Sequence, residues 1–303
     1  MVDKNMKAGK FLLMSLMSCW APADAGAQQG TLLLSELLFQ PRSGEAEYVE
    51  LFNPTDSDVD LAAFHIVRVI HDSLGMHYPL PSHVVGSHEY VVLSKDAASV
   101  AACYAVHDAS HLVECNLPPY PNDGGTVVLS TVDSVVVQWL DYSPSMHSRL
   151  LRNKAGVSLE RRSFSRDVND PSNWFSASSV AGYGTPGSEN SQSAEYLIEE
   201  ASFVFESDIV SPDGDGYQDG LTIEYSLDDG ALAARCEIYD SRGTVVRRLL
   251  NGDLLGTYGA IRWDGLGDGG QRLPHGQYIV AITVYDAAGT RQTVRRAIAL
   301  LYR

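Results

Sequence analysis

Ser211-Pro212-Asp213-Gly214-Asp215-Gly216-Tyr217-Gln218-Asp219-Gly220 runs directly into Leu221-Thr222-Ile223-Glu224-Tyr225. The first stretch sets Asp213, Asp215 and Asp219 among glycines, the way a short loop aims several oxygens at one hard cation. The second alternates apolar and polar residues, the period of a half-buried β-strand. Turn signals punctuate the rest of the C-terminal block: Ile238-Tyr239-Asp240-Ser241-Arg242-Gly243, Trp263-Asp264-Gly265, and Leu273-Pro274-His275-Gly276-Gln277-Tyr278. Together they predict a small β-sandwich whose opening loop is capped by a cation.

Working outward, alternation continues in Ala234–Tyr239, Val245–Leu249, Gly259–Trp263, Tyr278–Tyr285 and Thr293–Leu301. That many short strands in roughly a hundred residues suits an immunoglobulin-like fold. The upstream block has the same habit, in Leu32–Leu38, Glu47–Phe52, Phe64–Ile70, Tyr90–Leu93, Thr126–Leu129 and Val135–Trp139, with turns at Asn53-Pro54, Pro79–Ser82 and Asn122–Gly125. Asp96–Tyr104 is its one helical segment. Ser188-Glu189-Asn190-Ser191-Gln192-Ser193 has the composition of a joint. The expectation is an all-β protein of two immunoglobulin-like sandwiches in tandem: a leader over residues 1–27, a first sandwich over 28–191, a joint over 192–202 and a second sandwich over 203–303.

The leader reads as a secretory signal. Lys4, Lys7 and Lys10 precede the apolar run Phe11–Trp20, which is too short to span a bilayer. Ala25-Gly26-Ala27 is a small-x-small cleavage site, giving a chain that begins at Gln28. The rival reading is lipidation at Cys19, because Leu16-Met17-Ser18-Cys19 approximates a lipobox. No later run is long enough for a membrane helix, so the expectation is an exported protein, periplasmic, on the outer surface or extracellular, with peripheral or lipid attachment at most. The 303-residue chain carries a formal net charge of −16. Residues 28–200 hold 22 acidic and 9 basic residues, so the acidity is concentrated in the first block. Such a surface repels phosphate backbones and argues against nucleic acid as a partner.

Resemblances attach to ordered motifs. Leu34-Ser35-Glu36-Leu37-Leu38-Phe39-Gln40-Pro41 with Glu47-Tyr48-Val49-Glu50-Leu51-Phe52-Asn53, then Val59-Asp60-Leu61, Gly156-Val157-Ser158-Leu159-Glu160-Arg161, and Trp174 followed by Gly184-Thr185-Pro186-Gly187-Ser188-Glu189-Asn190, is similar to the lamin-tail domain. The segment Ala98–Leu117 departs from that pattern as an insertion. From Phe203 onward the chain resembles the immunoglobulin-like domain of flagellar hook-cap proteins and the C-terminal domains of gliding and type IX secretion proteins, with Asp213 where their motif has Asn. These resemblances imply structural or binding modules of an exported bacterial protein.

Several residues are candidates for a site. Asp213, Asp215 and Asp219, with the Tyr217 carbonyl, form a candidate Ca2+ site. Glu224 stands twelfth from Asp213 as in an EF-hand, but Gln218 occupies the sixth position and a strand comes next, so the EF-hand reading fails. Without an ion, the same residues make an Asp/Gly turn held by side-chain-to-backbone bonds. Cys103 and Cys115 are the candidate disulfide, or two free thiols; Cys236 reads as a core residue. His107 and His111 would share a helix face if that loop were helical. Arg149, Arg152, Lys154, Arg161, Arg162 and Arg166 cluster in an acidic block, either as an anion-binding surface or paired with local acids. Trp139, Trp174 and Trp263 read as core. There is no nucleophile elbow or phosphate loop. The expectation is therefore a non-enzyme, a cell-envelope module that binds a protein or glycan. The alternative is secretion cargo whose last domain is the sorting signal, and the third reading a hydrolase with an unrecognised site.

Overall fold

The computed structural model describes residues 32–70, 73–194, 202–228, 230, 232–289 and 291–302. The leader, with Cys19 and Ala27, and the charged tract at 199–200 lie outside these residues.

The first block contains β1 (Leu33–Leu38), β2 (Tyr48–Phe52), β3 (Val59–Asp60), β4 (Phe64–Ile70), β5 (Ser73–Pro79), β6 (Val84–Val85), β7 (Tyr90–Ser94), α1 (Ala97–Cys103), β8 (Leu112–Glu114), β9 (Gly125–Thr131), β10 (Val136–Tyr142), β11 (Leu159–Arg161) and β12 (Trp174–Ser176). A six-stranded sheet in the order β12-β11-β1-β2-β7-β8 faces a four-stranded sheet in the order β10-β9-β4-β5. Between them lie Leu37, Val49, Leu51, Ile66, Leu93, Leu129 and Trp174, all essentially buried. The insertion supplies α1, capped by Asp96 accepting from Ser99 N–H, and β8, which extends the larger sheet in parallel. Sequence alternation missed β5, because its Gly75 and Pro79 lower strand propensity; pairing to β4 overrides that.

The second block contains β13 (Ser202–Phe205), β14 (Ile209–Val210), β15 (Leu221–Ser226), β16 (Ala233–Tyr239), β17 (Val245–Leu254), β18 (Tyr258–Trp263), β19 (Gly276–Tyr285) and β20 (Arg291–Leu300). Its sheets run β13-β15-β18 and β14-β20-β19-β16-β17. Cys236, Ile238, Val280, Ile282 and Trp263 fill its core. The Trp-Asp-Gly and Gly-Gln-Tyr turns meet there: the rings of Trp263 and Tyr278 pack edge to face at 5.9 Å. Trp139, by contrast, is only half-buried, on the rim of a cleft beside Phe164 and Asn169.

The two sandwiches dock through hydrogen bonds that backbone carbonyls accept. Ser178 Oγ and Ser179 N–H both donate to Leu254 O, at 2.9 and 2.8 Å. Thr257 N–H donates to Ser191 O at 2.9 Å. Gln192 Nε2 bridges Ser176 O and Leu255 O. The joint read from Ser188–Ser193 thus opens as a packed layer rather than a solvated tether, since Asn190, Ser191 and Gln192 are buried.

Candidate functional site

The aspartate loop is built as its residue types dictate. Gly214 and Gly216 take positive φ of 82° and 86°, which L side chains resist, and this turns the chain back over Asp219. Asp219 accepts from Gly214 N–H at 2.7 Å and Gly216 N–H at 2.8 Å. Asp213 accepts from Asp215 N–H, and Asp215 from Tyr217 N–H. Ser211 N–H donates to Gln218 O at 2.6 Å and closes the loop. One oxygen from each of Asp213, Asp215 and Asp219 lies within 4.8 Å of the others. Ionised carboxylates have about four lone-pair sites each, so those backbone bonds leave coordination capacity, and a divalent ion would cancel their mutual repulsion. The donor set fits Ca2+. Glu224 sits in β15 between Val204 and Ala260, outside this group. The Tyr217 side chain is exposed beside a cleft of 630 Å³ that Asp219, Glu206, Arg262 and Asp264 also line.

Other sequence candidates disperse. Cys103 and Cys115 are free thiols: Cys103 packs with Tyr48, Val100 and Tyr104, while Cys115 packs against the main core. His111 is bonded to Gly187 O, and His107 is exposed in the preceding loop, so no shared helix face exists. The basic residues form no single patch. Arg166 pairs with Asp170, Lys154 donates to Pro144 O, and Arg162 donates to Asp228 O. Arg161 is buried and donates to the carbonyls of Leu34, Ser163, Phe164 and Arg166 and to Gln138 Oε1.

A site that sequence reading missed lies on the face of the large sheet away from its main core. Glu36 in β1 is the register partner of both Glu160 in β11 and Glu50 in β2. The three carboxylates stand in a row across three strands, at 1, 0 and 0 % exposure. Like charges directly opposite are destabilising. Glu36 accepts from Tyr48 O–H at 2.7 Å, from Ser158 Oγ, and from Thr185 N–H. Glu160 accepts from Thr185 Oγ1, Ser191 Oγ and Gln192 N–H at 2.9, 2.7 and 2.9 Å. Glu50 accepts from Gly187 N–H at 2.7 Å, and its Oε1 has no partner. The closing Gly184–Gln192 segment is therefore the lid of this row. Burial raises all three carboxyls, with Glu160 pushed to about 8 and Glu50 well above the ordinary range, and the charge of Glu36 adds to both. The signal in the sequence was glutamate at inward-alternating positions of apolar strands; its pairing needs register.

These two sandwiches, one closed by a Gly-Thr-Pro-Gly lid and the other opened by an aspartate loop, define a tandem of immunoglobulin-like modules. Residues 25–144 match the family described as Lamin Tail Domain and residues 207–290 the one described as FlgD Ig-like domain, so the chain joins a lamin-tail module to a FlgD-type module. Its pairing of β1 with β11 carries the first module past the matched residues. Among solved structures, FlgD from P. aeruginosa shares 21 % identity over 35 % of this chain and 78 % of its own, with a TM-score of 0.25. PorU from Porphyromonas gingivalis shares 10 % over 93 % of this chain, which spans 21 % of that protein, at 0.28. PorZ, a surface component of the type IX secretion system of the same bacterium, shares 14 % over 88 % of this chain and 30 % of its own, at 0.25. No curated protein matches the chain. Among the described residues no helix is long and apolar enough to cross a membrane.

Proposed function

We propose that the protein is an exported, non-catalytic module of the bacterial cell envelope that binds an envelope or secreted protein or a glycan, with Ca2+ stiffening its second domain. The observation that supports this reading is the hydrogen-bonded docking of a lamin-tail module onto a FlgD-type module, which holds their surfaces side by side. Sheet edges and end loops supply the contact surfaces in such sandwiches. The cleft beside the aspartate loop lies at one of those ends. Docking also speaks against a detachable sorting signal, because removal of the second domain would strip partners from Ser178, Ser179 and Gln192. Mass spectrometry of both termini, on protein recovered from fractionated cells, tests this. A chain beginning at Gln28 or Cys19 and ending at Arg303 in the envelope fraction is the expected result. A chain ending near the joint and found outside the cell would make the second domain a secretion signal and overturn the reading.

The calcium part has its own test. Added Ca2+ at a hundredfold excess over its dissociation constant is expected to stabilise the second domain by about 2.7 kcal/mol. Calorimetry with and without chelator reads this directly, and Asp215→Asn should remove most of the difference. A melting curve indifferent to chelator would exclude a calcium role.

A further inference from the structure

We propose that Glu36, Glu50 and Glu160 form a proton-binding site whose occupancy holds the lamin-tail lid closed and, through that lid, couples the two domains. The geometry has three parts. The sheet register forces the carboxylates into one row, with Glu36 between the other two. Glu50 Oε1 is fully buried and makes no hydrogen bond of ordinary length, with the Ser35 hydroxyl beside the carboxyl, and a proton there turns it into a donor toward its neighbours. The lid then runs from this row to the second domain. Thr185 and Gly187 sit on Glu36 and Glu50, and Ser191 and Gln192 donate to Glu160. The same Ser191 accepts from Thr257 N–H, and the same Gln192 reaches Leu255 O.

Protons fit the row better than a metal ion. Among the described residues only the loop aspartates bring three ligand oxygens within mutual reach of one ion. No Lys, Arg or His forms an ion pair with the three glutamates among the described residues. Among the described residues, the titratable groups facing them are Tyr48 on β2, Tyr104 after α1, and Tyr258 with Glu189 at the domain junction. His111 touches the row only through Gly187 O. Arg161, next along β11, turns its guanidinium to the opposite face, toward Leu34 O and Arg166 O. Three buried anions with no cation would be costly, and neutralising part of the row removes that cost.

The sign follows from linkage. A carboxyl raised above its unfolded value of 4.5 binds more protons folded than unfolded. Its stabilisation is complete below that value and is lost as pH rises through the folded value, about 8 for Glu160. Each excess proton weakens the folding equilibrium about tenfold per pH unit in that window.

The test uses the full chain carrying carboxyl-labelled glutamate. Glu160 is expected to titrate at about 8 and Glu50 well above the ordinary carboxylate range, and the protection of the Gln192 and Thr257 amides against hydrogen exchange should fall as pH rises through the Glu160 value. Glu50→Gln should remove roughly one tenfold step per pH unit from the pH dependence of the unfolding equilibrium above the ordinary carboxylate range. If all three carboxyls titrate below about pH 5.5, the site is refuted. If they titrate high while both amides stay equally protected to about pH 9, the coupling is refuted. Should the Gln variant fail to fold, the labelled wild-type chain decides both points.

Discussion

Arg161→Met is expected to destabilise the first domain by about 3 kcal/mol or more, although it keeps the side-chain length and adds no bulk. Arg161 is 3 % exposed and has no carboxylate partner in its ring of acceptors. Its guanidinium instead gathers four backbone carbonyls and Gln138 Oε1. Burial lowers its pKa only to about 10, so it remains charged at neutral pH. The Leu34 carbonyl it leaves is buried, and an unsatisfied buried group costs about 1–3 kcal/mol, while the carbonyls of Ser163, Phe164 and Arg166 stand part-buried, the last two at the rim of the neighbouring cleft. The loop 163–168 would loosen with it, and with that loop the Val168 carbonyl that accepts from Trp174 Nε1. Thermal unfolding should show a fall in Tm of about 10 °C. A fall under about 2 °C would mean the carbonyls rearrange around the methionine. Arg149→Met, outside this ring, is expected to leave the midpoint within about 2 °C.

Gly256→Ala is expected to part the two domains while leaving each folded. A Cβ at residue 256 would lie 2.2 Å from Ser191 O, a backbone atom that cannot rotate away. The backbone of Gly256 is outside the left-handed region, so alanine carries no local strain; the contact alone is at fault. Relief requires Ser191 and the loop around Leu255 to separate. That breaks the bonds of Thr257 N–H, Gln192 Nε2, Ser178 Oγ and Ser179 N–H, at about 1 kcal/mol each, so the docking loses about 4 kcal/mol. Small-angle scattering should register a larger radius of gyration, and calorimetry should resolve two transitions where the parent gives one. An unchanged profile would show that the interface absorbs a methyl group, and the docking would then be looser than its hydrogen bonds indicate.

Much of the fold is written locally. Alternation in Phe64–Ile70 or Leu221–Tyr225 needs no partner to be read, because one face of a strand must meet a core whichever strand lies beside it. The Asp96 cap and the helix it starts are equally local. So is the aspartate loop, whose glycines and carboxylates lie within a few residues and make their bonds to one another. Resemblance to ordered motifs extended this to both modules. What stayed out of reach were contacts set by long-range register. Arg161 sits in a run of basic residues that reads as an anion-binding surface or as paired with local acids, yet β11 returns it to the interior beside β1. Cys103 and Cys115 are near in sequence, but α1 and β8 send their sulfurs to different clusters.

The sequence by itself determined two all-β modules, the strand faces and the cation-capable loop, since each rests on residues within one turn or one strand. Tertiary structure alone decided the glutamate row, its lid and the joining of the domains. Glu36 and Glu160 are 124 positions apart, and only the antiparallel register of β1, β2 and β11 puts their like charges opposite one another. Burial then makes that opposition matter, because a low-dielectric interior leaves a carboxylate no water to share its charge with.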